Sequence, residues 1–447
     1  MKTLSASLKF GILILCSHLA LSDLAFGEDS QMKMIDSKTA DMNTEAQTTS
    51  NIVRSSDCSH METYDISMGM CMPLPMAGMP MTMLMIHGNS FFTATTEGGP
   101  RGRDAISLPN MFMADLGTSV SARHYLNLDF MGTLEKWTTP DLGYPELLQI
   151  GEDKANGQAY LDAQHPHSSP IMGLTLSDTI SFGSHRDYVK IFVAPRGEAT
   201  DGPIAFMHRV TGMVNPDAPL GHHIGQDVGH ITSSVIGESL KLRSTTYEFS
   251  TYHGGEPSPT KVDLPLGKID SYSVRIIEEF SSKMTLMASY GYVTDPEPDS
   301  PEINFEKRYS ASIYNEMSLF DDWDLDNALI YGSVHNYDHA STLNSFAEEF
   351  WVHSKRASQI WGRVEVLQRT ASELQIQNSD DPFVGKWVSA VTLGYTYRVV
   401  QWDSAQLNIG GSVTNDILPD VYRAVYGSNP WTEKIFLQLS GMKMWSL

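Results

Sequence analysis

Soft and borderline metal ligands are concentrated in two stretches of the chain. Between Met61 and Met85 there are nine methionines, with Cys58, His60, Cys71 and His87 in or beside the run. Met68, Met70, Met72, Met76, Met79 and Met81 recur every two to four residues. Pro73, Pro75 and Pro80 interrupt them, so the run is not the apolar stripe of a buried helix. Thioethers and thiolates are soft donors that favour Cu(I) over magnesium or calcium. The alternative is an adaptable linker in which Cys58 and Cys71 pair as a disulfide, and methionines can bind copper in either case.

The second stretch, 195–230, carries His208, His222, His223 and His230, and has neither helical nor strand period. Its Gly and Pro content marks a loop, and a loop of this length is usually functional or disordered. Its apolar residues favour an ordered cap. His165 and His167 close an earlier loop in the segment Gln164–Ser168. Imidazole suits Zn, Cu, Fe or Ni, and Asp227 or Asp162 is placed to complete a site. The pattern His223-x3-Asp227-x2-His230 matches no standard zinc signature. The competing expectation is histidines that hydrogen-bond one loop backbone to another. His335 and His339 are expected to be solvated. The stretch 143–152 reads as a segment packed against the barrel mouth or folded into its lumen, and as a loop with its own small core rather than as a pore constriction. No nucleophile elbow, H-E-x-x-H, P-loop or dinucleotide fingerprint occurs, so there is no motif on which to found an enzyme reading.

These residues need a frame, and the sequence supplies a β one. Met284, Leu286, Ala288, Tyr290 and Tyr292 alternate with Thr285, Met287, Ser289 and Gly291. Val391, Leu393, Tyr395, Tyr397 and Val399 alternate with Thr392, Gly394, Thr396 and Arg398. One apolar and one polar face in segments of about ten residues suit an antiparallel transmembrane barrel with a wet interior. Sixteen strands are expected, at 83–94, 109–116, 121–132, 171–183, 186–195, 230–238, 240–250, 269–280, 283–294, 305–317, 323–335, 344–353, 357–370, 383–398, 401–414 and 431–443. The connections alternate between long and tight, as outer loops and periplasmic turns do in outer-membrane barrels. That topology gathers the histidines at the long-loop end.

Residues 1–27 read as a secretory signal, with Lys2 and Lys9 before an apolar run and Ala25-Phe26-Gly27 as the cleavage site. Residues 28–82 form a polar, then Met/Cys/His-rich, disordered periplasmic segment, and 83–447 the barrel. The net charge of −22 argues against nucleic acid and anionic surfaces as partners.

MLMIHGN (83–89), GPRG (99–102), GYPELLQIGE (143–152), QHPH (164–167), FMHRVTGMVNPDAPLGHHIGQD (206–227) and YGSNP (426–430) resemble a family of uncharacterised bacterial outer-membrane β-barrel proteins. The resemblance covers residue 83 to the C-terminus. It implies a Met/Cys/His-containing N-terminal segment and genes often found among copper and heavy-metal resistance genes. It carries over no catalytic residue. The expectation is an outer-membrane barrel that handles metal, with Cu(I) as the candidate ion and no catalysis. Its partners would be outer-membrane lipid, metal ions or small solutes, and periplasmic metal carriers. The rivals are a general or organic-solute porin, a histidine-loop metal-dependent hydrolase, and an adhesion barrel.

A peptide spanning residues 55–87 should bind Cu(I) through several thioethers at once. Any single Met→Leu change should weaken binding little, and replacing four or more should abolish it. Titration with Cu(I) checks this against the all-leucine peptide, and equal affinity of the two would reduce the run to a linker.

Overall fold

The computed structural model describes residues 62–65, 70–73 and 82–447, apart from 155, 157, 183–186, 297–302, 321, 337–338, 355 and 378. The expectations for residues 1–61 and for most of 66–81 lie outside the described residues. Glu62–Asp65 and Met70–Pro73 pair as a small antiparallel ladder, with Tyr64 opposite Cys71.

Sixteen antiparallel strands close into a barrel. They are β1 (Thr82–Glu97), β2 (Asp104–Ser107 and Asn110–Ser119, one strand in two pieces), β3 (His124–Gly132), β4 (Ile171–Phe182), β5 (Asp187–Gly197) and β6 (Thr232–Leu242). Then come β7 (Thr245–His253), β8 (Ser271–Ser281), β9 (Met284–Thr294), β10 (Phe305–Phe320) and β11 (Trp323–His335). The ring is completed by β12 (Thr342–Ser354), β13 (Ser358–Arg369), β14 (Lys386–Gln401), β15 (Ala405–Ile417) and β16 (Trp431–Ser446). Each pairs with the next, and β16 closes on β1 from Thr432↔Glu97 to Ser446↔Met83. Every expected strand is present, with the expected alternation of long loops and tight turns.

The period of two decides which face meets lipid. On β14, Val391, Leu393, Tyr395 and Tyr397 are exposed outward, whereas Thr392 and Thr396 are buried inward. Aromatic residues mark both rims of the outer surface. Trp387, Trp431 and Tyr272 stand at the long-loop end, and Phe280, Phe320, Trp402 and Trp445 at the tight-turn end. An apolar belt between two aromatic girdles is the surface a bilayer requires.

The long loops do not simply cap the mouth. Residues 198–231, expected as a cap, are buried along nearly their whole length inside the ring. They cross it: Thr200 and Gly202 bond Ser273 and Ser289 on β8 and β9, while Met213 O accepts from Asn89 on β1. Arg209 donates to both carboxylate oxygens of Glu349 on β12, at 3.0 and 2.7 Å, and to Ile204 O at 2.7 Å. Arg363 on β13 donates to the carbonyls of Asp217 and Ala218 at 2.9 and 2.6 Å. A loop without regular structure cannot satisfy its own backbone groups, so a polar inner wall supplies the partners.

The expectation of a separate small core at 143–152 is corrected. Tyr144–Asp153 pairs with Ala159–Gln164, and Leu147 and Leu148 pack in one cluster with Leu220, Ile224, Val334, Leu343 and Leu367. The loop shares its core with the luminal loop and the strand ends, because alone it has too little apolar surface to enclose. Leu148 is held at φ 68° by Asp162, which accepts from its N–H at 2.9 Å, and by Arg369, which donates to its carbonyl at 3.0 Å.

Arg209 is 0% exposed and Glu349 1%, so removing one partner strands a buried charge. Arg209→Ala should cost about 3–5 kcal/mol, and the double change Arg209→Met with Glu349→Leu markedly less. Urea unfolding in detergent, followed by heat-modifiable migration, would measure both.

Candidate metal centre

Two sequence-distant segments bring five imidazoles together inside the barrel. His165 and His167 come from the strand-loop leading into β4, and His222, His223 and His230 from the luminal loop before β6. His222 and His223 lie on a short π-turn, His222–Gln226, closed by Asp227 N–H donating to His222 O at 3.2 Å. Gly225 makes the turn possible. It has φ 74°, and a Cβ there would stand 2.8 Å from Gly332 Cα and from Ser333 N on β11. The turn is pinned from the other side by Ser345 on β12, whose hydroxyl donates to Ile224 O at 2.6 Å.

The ligand atoms of His165, His222 and His223 all lie within 4.8 Å of one another, as do those of His222, Asp227 and His230. His222 is common to both sets. The ring centroids of His222 stand 4.6 Å from His223 and 4.7 Å from His230.

Hydrogen bonds fix which nitrogens are free. His230 Nδ1 donates to Asp227 O at 2.7 Å, which leaves Nε2 unprotonated. His167 Nδ1 bonds the Glu135 carboxylate at 3.1 Å. These two Nε2 atoms face each other at 3.1 Å. At that distance one ring donates an N–H···N hydrogen bond to the other, and a cation shared by the two would take the place of that proton. Ligands on a tetrahedral zinc with Zn–N near 2.0–2.1 Å stand about 3.3–3.4 Å apart, so the spacing suits two ligands of one ion.

Electrostatics favours the neutral, coordinating form of the rings. Burial pushes His165 well below the usual histidine range, His223 down to about 3 and His230 down to about 4, with neighbouring imidazoles adding to the effect. Burial pulls Asp227 upward, but His230, His222 and Arg209 together hold its carboxyl below the ordinary value. His165, His223 and His230 are therefore neutral nitrogens set near the Asp227 carboxylate, which is borderline-ligand chemistry.

The remaining sequence candidates lie elsewhere. His208 is on the same loop but turns away to Glu198, at 3.2 Å, and burial is outweighed there by that carboxylate, which raises its pKa. Asp162 is engaged by Arg101, Tyr426 and Leu148 N–H. His335 is exposed and bonds Thr342 at 2.7 Å. Cys58, His60, Met61, Met68, Met76, Met79 and Met81 fall outside the described residues, and Met70, Cys71 and Met72 are described only as backbone in the small ladder.

Three acidic residues were not anticipated. Glu135, in the short helix α1 (Glu135–Thr138), accepts from both His167 N–H and its ring. Glu152 N–H donates to His165 Nδ1 at 3.4 Å. Glu256, from the loop after β7, faces Glu152, His223 and His230 and is held well below the usual carboxylate range despite its burial.

No family model matches the chain, and comparison with curated proteins gives no match. Among solved structures it resembles an anion-selective porin from Comamonas acidovorans, at 8% identity over 80% of this chain and 99% of that one, with a TM-score of 0.50. It also resembles OmpF of Salmonella typhi, solved with daunomycin, at 8% identity over 86% and 100%, with a TM-score of 0.51. At such identity the likeness is one of fold. The chain has the closed β-barrel fold of a porin.

His222→Ala should remove both ligand sets, whereas His165→Ala or Asp227→Ala should leave one. Glu135→Gln, which frees the His167 ring, should weaken binding by about 10–100-fold. Equilibrium dialysis of Zn(II) and Cu(II) against the purified barrel would measure each. Unchanged binding in His222→Ala would show that the histidines only brace the loops.

Proposed function

We propose that this barrel takes up or releases a transition-metal ion across the outer membrane, holding it at the luminal histidine centre. The observation that carries the reading is the pair of buried ligand sets, His165, His222 and His223 and then His222, Asp227 and His230, whose donor atoms lie within 4.8 Å of one another in each set. His167 adds an Nε2 3.1 Å from that of His230. Copper is the ion most consistent with the remainder of the chain, since the Met/Cys/His-rich segment before β1 offers soft donors for Cu(I) on the approach to the barrel. In this reading periplasmic carriers exchange metal with that segment, and the imidazoles serve Cu(II) or another borderline ion.

A general solute porin is less well supported. The luminal loop bonds walls on opposite sides of the ring, at Asn89 and at Ser289, and fills much of the section through which sugars would pass.

Reconstituted vesicles discriminate between the two. Metal influx read by an entrapped indicator should exceed sugar-driven swelling, and His222→Ala should abolish the metal flux while leaving swelling slow. Rapid swelling with arabinose, unaffected by His222→Ala, would instead establish the general porin.

A further inference from the structure

Below the histidine centre, five methionines meet on the inner face of the wall. Met111 and Met113 of β2, Met131 of β3 and Met172 of β4 come from neighbouring strands, and Met207 packs onto them from the luminal loop. Ile231, the residue after His230, belongs to the same cluster, so the two centres adjoin. Register sets Met113 opposite Met131 and His87 opposite Met113, which aligns an imidazole and two thioethers across three strands.

The far wall mixes hydroxyls, such as Ser289 bonded to Ser310 at 2.7 Å, with an apolar cluster that holds a single methionine, Met287. On the near wall the sulfur continues toward the tight-turn end. Met85 and Met83 follow His87 at steps of two on β1, and Met442 and Met444 oppose His87 and Met85 on β16. A cavity of about 280 Å³ reaches Met113 and Met131, and its lining mixes the acids Asp129, Glu198 and Glu248 with Lys190, His208 and Arg275. Arg275 pairs with Glu248 at 2.6 Å and His208 with Glu198 at 3.2 Å, which leaves the methionines as its uncharged donors.

We propose that Met111, Met113, Met131, Met172 and Met207 form a thioether site for a soft monovalent ion, Cu(I) or Ag(I), separate in residues and in metal preference from the histidine centre. Thioether sulfur is polarisable and uncharged, so it holds a soft ion of low charge while offering little to Zn(II). The wall methionines below it extend the same chemistry toward the barrel's tight-turn end. The competing role is packing, since methionine fills irregular gaps between loop and wall. Leucine would serve packing about equally well, because the swap nearly conserves volume, and so leucine separates the two roles.

The test uses full-length protein in detergent, with Ag(I) as a redox-inert probe in chloride-free buffer and bound metal counted by mass spectrometry after gel filtration. Two variants are made, Met131→Leu alone and Met111→Leu, Met113→Leu, Met131→Leu and Met172→Leu together, with Met287→Leu on β9 as control. All carry the same N-terminal methionines, so differences report the wall. The expected result is loss of about one Ag(I) equivalent in the fourfold variant and weaker binding in Met131→Leu, with Zn(II) binding unchanged and the control like wild type. Equal Ag(I) binding by wild type and a folded, heat-modifiable Met131→Leu would overturn the site. A wild type that binds no Zn(II), but still loses Ag(I) on leucine substitution, would remove the histidine reading and leave the thioether site standing.

Discussion

Arg209 is a fully buried guanidinium, and its pairing with Glu349 is the constraint on which the interior depends. An unpaired charge at that depth costs several kcal/mol, so the loop cannot withdraw from the wall without a large penalty. The planar fork also fixes geometry, because two parallel bonds to one carboxylate allow little rotation. The same device is repeated around the ring. Arg363 holds Asp217 and Ala218, Arg369 holds Leu148 and Leu220, and Arg308 reaches Val228. Wall side chains thus do for an irregular loop what a ladder does for a strand.

The histidine cluster is a consequence of that anchoring. His222 and His223 face His165 only because the π-turn lies flat on β11, and it lies flat because position 225 has no Cβ. Glu135 then sets the His167 ring from a third direction. Each ligand is oriented by a bond made elsewhere, which is how binding geometry survives in a site built on loops.

The barrel was legible in the sequence and the interior only partly so. A period of two needs no tertiary information, and Leu393 or Tyr395 reports its outward face unaided. The alternation of loop lengths then gave topology, and with it the meeting of His165 and His167 with His222, His223 and His230 at one end. His208 failed the same reasoning because a loop of irregular backbone has no period to say where its side chains point. Glu135, Glu152 and Glu256 carry no local signal, being isolated acids, two on the loop between β3 and β4 and one on the loop after β7. The inner-wall sulfur did leave a trace. Met113 and Met131 occupy positions whose parity is inward, where an aqueous lumen predicts polar residues, and that mismatch is readable once the strands are set.

An ion crossing this lumen would have to exchange ligands one after another. A hydrated cation loses water on leaving solution, and the loss is tolerable only if donors replace it at each step. In the proposed reading, thioethers on the near wall and imidazoles beside them would do so with different softness. A Cu(I) ion would then settle among the sulfurs and a Cu(II) or Zn(II) ion among the nitrogens. On that proposal, movement of copper between the two clusters, which adjoin at His230 and Ile231, would depend on its oxidation state.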